Sequence, residues 1–193
     1  MRSIEPKHIG ILLFDEVEEL DAVGPWEVLS WWTQKHPDDG YDVFFLSKDG
    51  GLVRCAKGLV VQSNHSYAIA PSMEALIYPG GRGTRAHLQD AAQLDWVRMQ
   101  RVSTPLMTSV CTGSLVYAAA GILTGRPATT HWASLDHLAQ LDPTIEVRTE
   151  ERFVSPRLDF FAGFHVCHRK PPASTGTLGR SGRRSVIRGD VER

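Results

Sequence analysis

Pro105-Leu106-Met107-Thr108-Ser109-Val110-Cys111-Thr112-Gly113-Ser114 is the stretch on which the fold turns. After Pro105 comes a short apolar run with β-branched residues, the pattern of a buried strand. Thr112 and Ser114 then stand at a helix start, followed by Leu115, Val116, Tyr117 and three alanines, with Gly121 as the stop. Cys111 therefore falls where strand becomes helix. A turn of that kind lifts a nucleophile above the carboxyl ends of a sheet. It also aims the free N–H groups and positive end of the helix at the sulfur. A free cysteine, with a pKa of about 8.5, is mostly thiol at neutral pH, and such a position is expected to shift it toward thiolate. The competing reading is a small apolar side chain filling a gap in the core.

Working outward, Ile9 to Phe14 is an uninterrupted apolar run, as expected of a central parallel strand buried on both faces. A helix is expected to follow, with Pro25 in its first turn and its end near Gln34. Tyr41–Ser47 reads as a second strand. Leu52–Cys55 and Leu59–Gln62 read as a hairpin, and Met73–Tyr78 as a third core strand closed by Pro79-Gly80-Gly81-Arg82-Gly83. Arg85 to Val102 is helical with a break near Asp90. Thr129-Thr130-His131-Trp132 returns toward the Cys111 region, Ala133–Leu141 is another helix, and two short strand-like pieces end near Val154. Strands alternating with helices predict an α/β fold: a doubly wound, mostly parallel sheet covered on both faces, with a small hairpin. Ligands in such sheets gather at the carboxyl ends of the strands.

Composition narrows the function classes. The chain has 193 residues, enough for one domain with a full core, and a net charge of −1. No apolar run reaches the ~18 residues of a membrane span, and the first residues lack the apolar core of a signal peptide. Membrane binding is not expected. Cys55, Cys111 and Cys167 are odd in number and far apart, which is neither a disulfide framework nor a zinc motif, so a cytoplasmic setting is expected. Residues 155–193 carry +5, leaving −6 on residues 1–154. That basic end lacks interleaved aromatics or a recognition-helix pattern, so nucleic acid is not an expected partner. It reads as a disordered tail attached to a domain over residues 8–154.

Three segments end strands and carry unusual chemistry: Glu18 to Asp21, Pro79 to Gly83, and Val110 to Gly113. Asp21 lies in the otherwise apolar run Leu20-Asp21-Ala22-Val23-Gly24-Pro25. Desolvation there would raise its pKa and leave it able to donate a proton. Its alternative reading is a helix N-cap. Gly80 and Gly81 allow the backbone to approach a ligand and present N–H groups to it, or simply make a turn. Their surroundings lack the lysine and spacing of a phosphate loop. His131 reads equally as a base or as a half-buried structural histidine beside Trp132. The histidines show no metal-ligand spacing.

Leu20-Asp21-Ala22-Val23-Gly24-Pro25-Trp26-Glu27-Val28-Leu29, Tyr78-Pro79-Gly80-Gly81, Ser109-Val110-Cys111-Thr112-Gly113-Ser114, Ala119-Ala120-Gly121-Ile122-Leu123 and Ala128-Thr129-Thr130-His131-Trp132, in that order, resemble the ThiJ/PfpI superfamily of class I glutamine-amidotransferase-like proteins. The resemblance is greatest to its isonitrile hydratase-like branch. It implies Cys111 as nucleophile and Asp21 as the acid near the sulfur. Thr112 and the backbone around Gly80 and Gly81 would hold developing negative charge, with His131 near the cysteine. It also implies a flavodoxin-like three-layer sandwich and a homodimer acting on a small molecule without a metal or organic cofactor. Protease-like members place a histidine directly after the cysteine, whereas this chain has Thr112. The implied activity is hydration of an isonitrile to an N-substituted formamide by a cysteine-dependent lyase. Two alternatives stay open: a ligand-sensing domain like those of AraC-type transcription regulators, and glyoxalase- or deglycase-like chemistry on reactive carbonyls.

The family continues past Val154 with a closing strand and a long helix. This chain continues with a basic, patternless run such as a shifted reading frame would produce. Loss of that closing cover is expected to impair stability or activity, since a helix burying ~500 Å² of apolar area contributes on the order of 10 kcal/mol before entropy.

Overall fold

A computed structural model describes residues 6–157 and 160–164, the last strand and residues 156–157 as backbone. In chain order the elements are β1 (Lys7–Leu12), α1 (Glu19–Lys35), β2 (Tyr41–Ser47), β3 (Gly51–Arg54), β4 (Val60–Ser63), β5 (His65–Ser66), β6 (Ala75–Tyr78), α2 (Thr84–His87), α3 (Ala91–Ser103), β7 (Leu106–Val110), α4 (Gly113–Ala119), β8 (Pro127–Ala128), α5 (Leu135–Leu141), β9 (Glu146–Val147), β10 (Val154–Arg157) and β11 (Phe160–Phe164).

The main sheet has seven strands in the order β10-β11-β7-β6-β1-β2-β5, and every pairing in it except β10–β11 is parallel. β1 lies inside it, with Ile11 pairing Phe45 on one side and Ile77 on the other. This is why its sequence is apolar at consecutive positions: both faces are covered. The chain moves from β1 to β2 in one direction across the sheet and from β6 to β7 in the other. Right-handed crossovers then place α1 and α3 on opposite faces. Trp26 of α1 stacks on Phe45 of β2, while Tyr78 of β6 meets His87 of α2 and Tyr117 of α4 on the other side. The direction reverses between β1 and β6, so the loops after these two strands open a crevice at the carboxyl end of the sheet. β3 and β4 form the expected hairpin as a separate two-stranded sheet.

Two boundaries depart from the sequence reading. α1 starts at Glu19, which puts Pro25 in the helix interior rather than its first turn. Pro25 has no N–H to give the Asp21 carbonyl, a defect the helix carries because its apolar face packs on β1 and β2. The sheet also continues beyond Val154. β11 pairs in parallel with β7, with Phe160 opposite Met107 and Ala162 opposite Ser109. The run Phe160-Phe161-Ala162-Gly163-Phe164 is apolar, and a strand edge beside β7 satisfies its backbone donors and acceptors. The strand-bearing part of the chain therefore reaches Phe164, beyond the Val154 boundary expected from the sequence. The rest of the expected tail lies outside the described residues.

Candidate active site at the Cys111 elbow

β7 ends at Val110 and α4 begins at Gly113, so the chain turns from strand to helix in two residues. Cys111 makes that turn with φ +53°, in the left-handed region that a side chain occupies only under strain. The turn is held from below. Thr130 donates its hydroxyl to the Cys111 carbonyl at 3.1 Å, and Ser114 donates to the same oxygen at 3.2 Å. Gly113 permits the close approach: a Cβ there would stand 2.1 Å from the Tyr78 carbonyl oxygen. The start of α4 is thus pressed against the end of β6.

Asp21 comes to the same point from α1. Glu18, not Asp21, is the N-cap, and Asp21 lies in the first turn with 2% of its surface exposed. Its Oδ2 accepts the Gly80 N–H at 3.1 Å, and its carboxyl stands close enough to the Cys111 side chain for each to act on the other's charge. Gly80 sits between the partners. A Cβ on it would stand 2.8 Å from both Asp21 Oδ2 and Cys111 Cβ, and 2.7 Å from the Thr112 nitrogen. Sulfur, carboxyl and the β6 loop therefore meet at one point.

Electrostatics sharpen the chemistry and overturn one expectation. Burial pushes the Asp21 carboxyl up to about 6, against the opposing Gly80 N–H and with help from the nearby Glu18 charge. Burial and then the Asp21 charge push the Cys111 thiol up to about 12, against the backbone N–H and side chain of Thr112. The resting pair near neutral pH is a thiol beside a largely ionised carboxylate, not the thiolate expected from a helix N-terminus. α4 is a short helix, and its end cannot offset desolvation together with an adjacent carboxylate.

The expected donors for developing charge are already engaged. The Gly80 N–H goes to Asp21, and the Gly81 N–H goes to Thr112 Oγ1 at 3.1 Å. In this state the two glycines hold the acid and the elbow rather than offering open N–H groups. Thr112 is buried, and its hydroxyl also lies 3.3 Å from the Gly81 carbonyl and 3.3 Å from Thr84 Oγ1. His131 directly follows Thr130, and its Nδ1 accepts the Ala133 N–H at 3.2 Å, capping a short 3₁₀ turn over Trp132–Ser134. That is a structural use of the ring. Thr84, completely buried, was not singled out by the sequence, although it directly follows the Gly-rich turn.

A cleft of about 750 Å³ is lined by Phe14, Asp15, Lys48, Arg82, His87 and Gln93 among others, but by neither Cys111 nor Asp21. Behind it, Gln93 Nε2 donates to the Tyr78 hydroxyl at 3.1 Å, and that hydroxyl lies 2.6 Å from His87 Nδ1. Burial lowers the pKa of His87, so the ring favours its neutral form and fixes the end of β6. Among the described residues no group of three or more His, Cys, Asp or Glu side chains is placed to hold a metal ion.

A family model described as DJ-1/PfpI matches residues 7–156, and the strained cysteine, the acid and the glycine loop all lie within that span. The chain belongs to the DJ-1/PfpI family. Isonitrile hydratase of Pseudomonas putida is 40% identical over 133 residues, a segment covering 69% of this chain and 56% of the hydratase. This chain thus spans little more than half of that relative. The HTH-type transcriptional regulator GbdR of Pseudomonas aeruginosa is 28% identical over 149 residues, covering 75% of this chain and 39% of the regulator. Among solved structures, a ThiJ/PfpI family protein from Pseudomonas syringae superposes with a TM-score of 0.72 at 27% identity, over 84% of this chain and 63% of that one. Drosophila melanogaster DJ-1beta gives 0.68 at 18% identity, over 83% and 82% of the two chains, a likeness of fold. No described helix is long and apolar enough to cross a membrane.

Proposed function

We propose that this DJ-1/PfpI family chain is a cysteine-dependent hydratase that converts an isonitrile and water to an N-substituted formamide. The observation that carries the reading is the strained Cys111 turn and the buried Asp21 carboxyl converging on Gly80, where one added Cβ would stand 2.8 Å from both Asp21 Oδ2 and Cys111 Cβ. The 40% identity to isonitrile hydratase supports the choice of substrate class. Asp21, with its pKa near 6, is matched to accept and return a proton near neutral pH. As the sulfur attacks the terminal isonitrile carbon, the S–H proton passes to Asp21. Protonated Asp21 then delivers it to that carbon, leaving a thioimidate, R–N=CH–S–Cys111. Water adds to the same carbon as Asp21 takes one of its protons and passes it to the nitrogen; the C–S bond then breaks, the remaining O–H proton returns to the sulfur through Asp21, and R–NH–CHO leaves. Thr112, next to the sulfur's residue at the start of α4, would steady the charge that develops there. This chemistry calls on no metal or organic cofactor. The test is formamide release from a simple alkyl isonitrile, assayed beside methylglyoxal consumption. Formamide production lost in Cys111→Ala and in Asp21→Ala supports the reading. Turnover by the Cys111→Ala protein refutes it, and methylglyoxal consumption without formamide redirects it to carbonyl chemistry.

A second reading has its own support. A transcriptional regulator shares this domain at 28% identity, and an AraC family transcriptional regulator from Pseudomonas putida superposes with a TM-score of 0.66. A sulfur kept protonated also suits a niche that binds a ligand without reacting. Saturable isonitrile binding with no product would favour this sensor role.

We further propose that the chain acts as a homodimer. α1 exposes Val28 and Trp31, and the hairpin exposes Leu52, Leu59 and Val60, apolar surfaces of the kind that pair in oligomers.

A further inference from the structure

The tip of the β3–β4 hairpin reaches the buried acid through a series of contacts. Lys57 stands at that tip, where the Gly58 N–H closes a turn on the Cys55 carbonyl at 3.0 Å. Its ammonium pairs with Glu18 Oε1 and, at 3.4 Å, with Glu19 Oε2, while its backbone N–H donates to Glu19 Oε1. Those two carboxylates belong to the N-cap and the first residue of α1. The backbone beside them is tied to the hairpin as well. The Ala56 N–H donates to the Val17 carbonyl at 2.9 Å, and the Glu16 N–H donates to the Arg54 carbonyl at 2.9 Å. On the other side, the Glu18 N–H donates to the Gly80 carbonyl at 3.0 Å, and the Gly80 N–H donates to Asp21 Oδ2. Lys57, Glu18, Gly80 and Asp21 are thus joined in series.

Glu18, Glu19 and Asp21 put three carboxylates into four residues, and like charges so close make each acid hold its proton more tightly. Lys57 is the cation set against them. Cys111 faces Asp21 from the elbow, Gly80 offers only an N–H, and the ends of β1 (Ile11, Leu12) and β2 (Phe45, Leu46) bring no charge to α1. The bond to Glu18 holds the Lys57 ammonium above its usual range, so it stays charged while Asp21 titrates. We propose that Lys57 is a positioning residue: it ties Glu18 and Glu19 to the hairpin tip and sets its charge against theirs, so that Asp21 gives up its proton readily beside Cys111. The inference deepens the reading of Asp21 as the proton carrier of the proposed reaction. Its test needs no turnover, so it stands or falls separately from the hydratase assignment.

The experiment is a carbon-13 NMR titration of the Asp21 side-chain carboxyl from about pH 4 to 8, a range that brackets a raised carboxyl pKa. The signal is assigned by its loss in Asp21→Asn. The unaltered protein should titrate near about 6. Lys57→Met removes the charge and keeps most of the apolar stem. Its midpoint should rise by about half a unit, a threefold tighter hold on the proton. Lys57→Arg keeps the charge and should stay within about 0.2 units of the unaltered protein. Glu18→Gln removes the repelling charge and should lower the midpoint by about half a unit. Lys57 is exposed and Glu18 partly so, and surface ion pairs contribute little to stability, so these variants should fold. A merely structural role predicts the opposite sign in Lys57→Met: a loosened start of α1 would admit water to Asp21, and its midpoint would fall toward the ordinary 3.8. An unchanged or lowered midpoint in Lys57→Met, a Lys57→Arg shift as large as that of Lys57→Met, or a midpoint unmoved or raised by Glu18→Gln overturns the proposal.

Discussion

Gly80 gives its N–H to Asp21 Oδ2 at 3.1 Å, and a methyl group on its Cα would stand 2.8 Å from that same oxygen. The residue that holds the acid leaves no room for anything larger than hydrogen. Gly80→Ala should therefore cost about 2–3 kcal/mol of stability by forced displacement of Asp21 and of the elbow. It should lower turnover by more than about a hundredfold, since a small misplacement of reacting groups is enough. Urea unfolding and formamide release measure the two effects. A stable, fully active Gly80→Ala protein would show the contact to be yielding.

Gly113→Ala presses harder on the backbone, because the added atom would meet the Tyr78 carbonyl at 2.1 Å. Neither partner is a flexible side-chain end. A loss of about 3 kcal/mol or more is expected, read as a lowered midpoint of urea unfolding.

Asp21 sets a pH dependence whose sign follows from its environment. Its pKa rises from 3.8 to about 6 on folding, so the folded chain binds the proton more tightly than the unfolded one. The protonated acid contributes full stability below about pH 4, and that contribution is lost as pH rises through about 6, reaching about 2–3 kcal/mol. Asp21→Asn keeps the shape, keeps an acceptor for the Gly80 N–H and carries no charge. It should raise the unfolding temperature at pH 7.5 and change it little at pH 4. An equal shift at both pH values would place the cost elsewhere.

The same substitution separates reactivity from catalysis. The Asp21 charge helps hold the Cys111 thiol up near 12, so at pH 8 the sulfur should alkylate at least tenfold more slowly than glutathione. Removing that charge in Asp21→Asn should speed alkylation while abolishing formamide release, because the proton carrier has gone. Parallel loss of both would mean that the acid merely supports the fold.

Assembly is tested at α1. Trp31→Asp, alone or with Val28→Asp, should shift the sedimentation coefficient from dimer to monomer at micromolar concentration. A sedimentation coefficient unmoved by either change would place any interface on another face.

Much of the site could be read in the chain because its residue types have few other uses in those settings. An acid inside Leu20-Asp21-Ala22-Val23 must be either neutralised or held, and it is held by Gly80. The apolar run before Cys111 and the small residues after it specify a strand and a helix with almost no linker. The protonation of the sulfur could not be read so, since it depends on how completely α1 and the β6 loop exclude water. Pro25 misleads because proline is common in first helical turns, whereas here tertiary packing outweighs its missing bond. Thr84 escapes notice because threonine after a glycine turn is ordinary; only its burial against Thr112 in the folded chain marks it. The strand at Phe160–Phe164 lies in a stretch whose basic composition obscures five suitable residues.

Keeping the Cys111 sulfur protonated has a consequence for chemical selectivity. Peroxides and disulfides react with a free thiolate and demand nothing else from a protein. An isonitrile carbon, by contrast, takes up a nucleophile and a proton together, and the Asp21 carboxyl stands ready to relay that proton. If the proposed chemistry holds, the niche favours reagents that draw on both groups at once over oxidants that need only a thiolate.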